Sequence, residues 1–326
     1  MTLSRRQVLP ALLALAGTAL LRPARAQRPW PTGPLRLIVV YPPGGLSDGV
    51  ARSLADRLAE QLGVVVRVEH RAGGGGSVGM QALARAPSDG HTLAFSAVSP
   101  LSLRPHLSAV GYDPLRDIAP VACVMDAPVL LVGTPAFTGH AFAELLAQAR
   151  ARPKALRWAT SGQATAGHLV LEQVQMGGGV DVTHIPYKGG GQQLTDALGG
   201  QFELLSTNVA PAQLRHIAEG RFKPLAVGAP RRLDALPQVP TFAELGLPNA
   251  NISSLFGVFA PGGTPEPVLD RLNNEINRAV RTPGILEKLL ASDNLPALED
   301  RRAFVRRVEQ EWRNNRRLKG TNIQME

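Results

Sequence analysis

The sequence predicts an α/β protein of two domains with a ligand cleft between two open sheets. Three observations predict it. Short apolar, β-branched segments alternate with amphipathic stretches of helical length. Glycine-rich turns stand between strands and the helices after them. The whole series occurs twice, as two open parallel sheets require.

In the first series, Leu35, Leu37, Ile38, Val39 and Val40 make a buried strand that Pro42, Pro43, Gly44 and Gly45 break. A helix follows, with Ser47 or Asp48 as N-cap, Val50, Leu54, Leu58 and Leu62 on one face, and Gly63 at its end. Residues 64–68 form the next strand, residues 73–76 a second glycine turn, residues 80–86 a helix, and residues 92–96 a strand ending at Ser96 and Ala97. The second series has a strand at 156–160, a loop at 161–167, a helix from His168 and a strand at 182–185. A turn at 187–191, a helix at 194–198 and strands at 202–205 and 225–227 complete it. Residues 129–132 and 255–261 read as the outward and return crossings. Domain 1 is then residues 28–127 plus 252–326, and domain 2 is residues 128–251.

Ahead of these stands an export signal. Arg5 and Arg6 precede an apolar run over 8–21, and Ala24 and Ala26 give a small-x-small cleavage pattern, so residues 1–26 read as a signal peptide. The run is about 14 residues, short of the roughly 20 a membrane span needs. The arginine pair fits a twin-arginine signal or an ordinary secretory one. The expected product is periplasmic, and without the four arginines of the signal its net charge falls from +9 to 9 − 4 = +5. The C-terminal cations interleave with acids and lack an aromatic platform, which argues against nucleic acid as a partner. Cys123 is the only cysteine and the seven histidines lack metal-ligand spacing, so neither a disulfide, a metal nor a cofactor is expected.

In open α/β sheets, ligands sit where helix N-termini meet strand ends. The turn Gly44, Gly45, Leu46, Ser47, Asp48 and the loop from Ser161 through Gly162 and Thr165 to Gly167 occupy matching places in the two domains. Their backbone N–H groups suit a carboxylate. Tyr187 reads as a cleft wall or a core residue, and His168 as a donor to ligand or to its own loop. Two enzyme-like patterns overlap at residues 74–79. The G-x-G-x-x-G pattern lacks the acid that closes the next strand of a dinucleotide site. The G-x-S-x-G pattern offers Ser77 as a nucleophile, with Asp181 and His184 or Asp196 and His216 as partners, but no oxyanion loop accompanies it. Ser77 reads better as an N-cap.

The segments at 37–48, 68–76, 86–93, 185–190, 194–201, 236–241 and 260–265 together resemble the Bug family, extracytoplasmic solute receptors associated with tripartite tricarboxylate transporters. The resemblance spans the mature chain and implies a Venus-flytrap, type II-like periplasmic-binding-protein fold without enzymatic activity. Members bind carboxylates through backbone amides and ordered waters. Carried across, the ligand-binding residues are Tyr41, Pro43, Gly44, Gly45, Leu46, Ser47 and Asp48 facing Ser161, Gly162, Thr165 and His168, with Ser96, Ala97 and Tyr187 as walls. Thr207 stands where many members have an acid, which argues against an amino-acid ligand; Leu255 replaces a usual tryptophan. The implied partner is a membrane permease of the tripartite type or a sensor kinase.

Overall fold

The computed structural model describes residues 30–319. The expected signal peptide lies outside them. Among the described residues, the chain from Gly33 to Lys319 forms one compact unit.

Ten strands among the described residues join in one sheet. Strands β1 (Leu35–Val39), β2 (Val66–His70) and β3 (Thr92–Ala97) are parallel, in the order β2-β1-β3. The long β4 (Ile118–Gly133) then runs from this half of the sheet into the other. There β5 (Arg157–Thr160), β6 (Thr183–Pro186) and β7 (Leu204–Asn208) are again parallel, in the order β6-β5-β7. Strand β8 (Lys223–Gly228) flanks the far end of β4, and β9 (Ser253–Pro261) returns to pair antiparallel with both β3 and β4. Strand β10 (Leu295–Pro296) closes the near edge of β4.

Each half therefore repeats one pattern: β2-β1-β3-β9-β4 and β6-β5-β7-β4-β8. The fourth position of each is an antiparallel strand that arrives from the other half. The two halves are not purely parallel sheets, as the local pattern suggested; the exchanged strands make each mixed. This is the two-domain periplasmic-binding architecture. Strand β4 passes unbroken through Ala127 and Pro128, and β9 begins at Ser253.

Alternation explains the burial. Along β4, Val129 and Leu131 enter one apolar cluster with Trp158 and Phe142, while Leu130 and Val132 enter another with Phe202 and Phe222. A strand covered on both faces must be apolar at every position, which is why it reads as a continuous run. The first half is equally dry: Leu37, Ile38, Val39, Leu93, Ala94 and Phe95 are fully buried.

Candidate functional site

Three helices of the described residues begin at one small cavity. Helix α1 (Leu46–Leu62) starts from Gly45, whose extended backbone serves as N-cap without a side-chain bond. Ser47 and Asp48, the expected caps, lie inside the first turn instead. On the other half, the helix Ala166–Gly178 starts from Thr165, whose hydroxyl accepts from the His168 N–H, and the helix Gly190–Leu198 starts from Gly189. The cavity, about 60 Å³, is lined by the cap and first residues of all three helices, together with Ser99, Ser161, Thr207 and Asn208 at the end of β7, and Ser254 and Phe256 of the crossing strand β9. At about 10–15 Å³ per water-sized group, it holds roughly four to six such groups.

No charged side chain is among the described residues lining it. The field comes from the backbone. The first N–H groups of a helix lack intrahelical partners, and each N-terminus carries about half a positive charge. A bound anion gains from each such end about 0.3–1 kcal/mol, rising to about 2 kcal/mol when partly buried.

The first turn is anchored by Asp48. Its Oδ2 accepts from the Gly44 N–H at 3.0 Å, and its Oδ1 meets His70 Nε2 and Arg52 Nε, each at 2.8 Å. Burial alone would raise the carboxyl pKa, but the Gly44 amide, His70 and Arg52 together hold it below the usual value. Tyr41 closes the cavity floor edge-on to Phe256, with ring centres 6.4 Å apart. Burial pushes its phenol up to about 12 against the opposing pull of Ser99, Ser96 and the Ala97 backbone, so it is a neutral group here.

The second loop uses neutral groups. The His168 Nδ1 accepts from the Ala164 N–H at 3.0 Å, where Ala164 has φ of 54°. That bond leaves the proton on Nε2, which lies 3.2 Å from the Glu172 carboxylate. The ring stacks on His184 at 4.2 Å between centres, and the His184 Nε2 meets Thr160 Oγ1 at 2.7 Å. Burial, with His168 beside it, drives His184 down to about 3, so it is neutral. Below the loop, the Ser206 hydroxyl donates to the Gly167 carbonyl and accepts from Trp158 Nε1, both at 2.9 Å.

The two halves meet along the rim. Arg104 Nη1 donates to the Gln163 carbonyl at 3.3 Å, and a Cβ placed on Gly45 would lie 4.0 Å from Gly190. Asn208 Nδ2 donates to the Ala127 carbonyl at 2.9 Å and to Ser254 Oγ at 2.8 Å, which fastens β4, β7 and β9 where they cross.

Of the residues expected from sequence, Tyr41, Gly45, Leu46, Ser47, Ala97, Ser161, Thr165 and Thr207 line this cavity. Gly44 lines only a larger neighbouring one. The other six line neither. Pro43 is exposed, with its carbonyl directed at Gly191. Asp48 turns back to Gly44, as described. The Ser96 hydroxyl is spent on the Ala97 carbonyl at 2.7 Å. Gly162 packs beneath Gly75 and offers its carbonyl to Thr165 Oγ1 at 2.8 Å. His168 serves its own loop. Tyr187 packs on Phe202 and donates its hydroxyl to Asp196 at 2.7 Å. Nor does Ser77 cap its helix: Gly76 does, and the Ser77 hydroxyl donates to the Gly74 carbonyl at 2.9 Å.

Sequence reasoning missed Ser99, Gly189, Gly190, Ser254 and Phe256. Asn208 carried a signal, since it remains where the neighbouring acid of the family pattern is replaced.

Comparison with known proteins bears on this site. The family model described as tripartite tricarboxylate transporter family receptor matches residues 50–321. Protein BugT of Bordetella pertussis is 36% identical over 313 residues, covering 94% of this chain and 94% of that protein. Among solved structures, an R. palustris protein with adipate is 31% identical, with a TM-score of 0.82 over 87% of this chain and 95% of its own. MatC from Rhodopseudomonas palustris with bound malate is 27% identical, with a TM-score of 0.83 over 89% and 99% respectively.

Proposed function

This chain belongs to the tripartite tricarboxylate transporter receptor family, and on that premise we propose that it reversibly binds a small carboxylate in the 60 Å³ cavity. The observation that carries the reading is the convergence of three helix N-termini, from both halves, on a space lined without charge. Such a site stabilises an anion through backbone amides and leaves the rest of the ligand to be selected by shape. Adipate and malate in related structures support the class of ligand. The protein acts outside the cytoplasmic membrane after removal of residues 1–26. Its loaded form is read by a membrane permease of the tripartite type, with a sensor kinase as the second reading.

Residues 28–127 plus 252–326 and residues 128–251 act as the two domains, and the crossings fastened by Asn208 are the hinge. A ligand touching both rims favours the closed form by its differential affinity for that form. A hydrolase built on Ser77 finds less support. Its candidate partners are engaged elsewhere: His184 with Thr160, Asp196 with Tyr187, and His216 with Glu219 at 3.0 Å.

A thermal-shift panel of mono-, di- and tricarboxylates tests the reading. A true ligand at 100 times its Kd adds about 2.7 kcal/mol of stability. A panel that leaves the melting point unmoved contradicts it, as does ester turnover that disappears in Ser77→Ala.

A further inference from the structure

Along the last helix, cations and acids that alternate in the sequence part company in space. The helix Arg301–Asn315 turns Phe304, Val308 and Asn315 inward. Spacings of four, three and four place Arg302, Arg306, Glu309 and Arg313 on one exposed ridge, within about 60° of each other at 3.6 residues per turn. Arg316, Arg317 and Lys319 are exposed in and just after the short turn Arg316–Leu318 that continues it. We propose that this ridge docks on a membrane surface of anionic phospholipid. For its place in the cell the inference rests on the location proposed above; its chemistry is that of the ridge alone.

The acids of this stretch are spent or turned away. Asp300 caps the helix, accepting from the Ala303 N–H at 2.7 Å. Glu299 lies 3.5 Å from Arg307, which also holds Asp126 at 2.7 Å. Glu311 sits across the helix axis from Arg302 and lines a small cavity with Ser253 and Ser254. Glu309 alone shares the ridge, 3.6 Å from Arg313. Arg302, Arg306, Arg316, Arg317 and Lys319 have no carboxylate partner among the described residues. Two features select a headgroup layer as the partner. The exposed positions of the ridge and its end include no large apolar side chain, whereas a specific protein interface is built around an apolar core. A headgroup layer needs only charge, and each arginine or lysine near it is worth about fivefold in partition. The cations are also held in place. Leu318 is buried with Leu103 of one half and Ala164 of the other, which fixes Arg316 and Arg317 where the halves meet. Folded charges of this kind dock without the entropy loss of ordering a tail.

Co-sedimentation of the processed, exported protein with phosphatidylglycerol vesicles tests the proposal. The protein should sediment with them at about 0.01 M salt, where the Debye length is about 30 Å, and stay in solution at about 1 M, where it is about 3 Å. Phosphatidylcholine vesicles should take up none. At about 0.1 M salt, Arg306→Gln with Arg317→Gln should bind about 25-fold more weakly, and Glu309→Gln about fivefold more tightly. Arg67→Gln with Arg152→Gln removes the same charge from two exposed positions off the ridge, on β2 and in the second half. That pair should change binding by less than about twofold. All these variants should melt with the parent. No uptake by phosphatidylglycerol at low salt, equal uptake by phosphatidylcholine, or an equal loss in the Arg67 and Arg152 pair overturns the proposal. Tighter binding to polyglutamate than to the vesicles also overturns it, since an acidic protein is then the partner. A melting point that answers to malate or adipate while the vesicles stay unbound leaves the cleft reading standing and this one fallen.

Discussion

At residues 44–48 the turn is held by a carboxylate: Asp48 reaches back to the Gly44 amide and is itself fixed by His70 and Arg52. At residues 161–168 the corresponding loop is held by a hydroxyl and an imidazole, Thr165 and His168, neither carrying charge. Both arrangements point helix N-termini into the same cavity. The difference lies in what can disturb them. The charged clasp answers to acid and salt, whereas the uncharged one answers to packing and to protonation of the imidazole stacked beneath it. Preorganised amides thus come from two different kinds of support, and each support has its own way to fail.

The largest effect should come from breaking the neutral clasp. His168→Ala removes a buried ring and orphans the Ala164 N–H, which should destabilise the protein by about 2–4 kcal/mol in urea unfolding. Ligand affinity should fall with it, because the loop no longer holds its shape.

Acid acts on the same region through His184. Its folded pKa, about 3, lies below its ordinary 6.5, so the unfolded chain takes up the proton first. The stabilisation is present above pH 6.5 and declines as pH falls toward about 3. Between pH 6.5 and about pH 5 the loss is about 2 kcal/mol. His184→Phe should flatten this limb of the stability profile relative to the parent.

The charged clasp should give a smaller loss with a different pH window. Asp48→Ala should destabilise by about 1–2 kcal/mol near pH 7. Since the folded Asp48 pKa lies below its ordinary 3.8, its contribution is present above that value and disappears as pH falls through the lowered one. The gap between parent and variant should therefore close in strong acid.

The smallest effect on stability sharpens the comparison most. Gly191 is helical, and a Cβ there would stand 2.8 Å from the Pro43 carbonyl on the opposite rim. Gly191→Ala should raise the stability of a form whose rims have separated, by a fraction of the helix-propensity gain of about 0.5–1 kcal/mol, and lower that of the apposed form described here, in which the carbonyl would have to move. It should therefore weaken ligand binding by obstructing closure. Parallel thermal-shift and binding measurements read the two opposite signs.

Much of the fold was legible because its code is local. The apolar runs at β1, β3 and β5 fall within a residue or two of their observed limits, since a buried strand followed by glycine is a pattern of composition. Helix starts were harder. Gly45 and Gly189 are N-caps, and glycine carries no capping side chain by which to announce itself, so Ser47 and Asp48 drew attention away from Gly45. Of β4, only its apolar second half stood out, because Pro120 and Asp126 interrupt the first. The antiparallel exchange of β4 and β9 is a matter of long-range pairing, which no local period encodes. For the same reason Ser254 and Phe256 could not be placed at the cavity, whereas the turns at 44–48 and 161–167 could.

The most direct test is a structure of the protein with a small carboxylate identified by the panel. The account predicts its carboxylate oxygens within about 3 Å of backbone nitrogens at the starts of the helices at Leu46, Ala166 and Gly190, with no arginine, lysine or histidine side chain in contact. A carboxylate found on Arg215 and Lys288 of the larger neighbouring cavity, with only water in the smaller one, would contradict it.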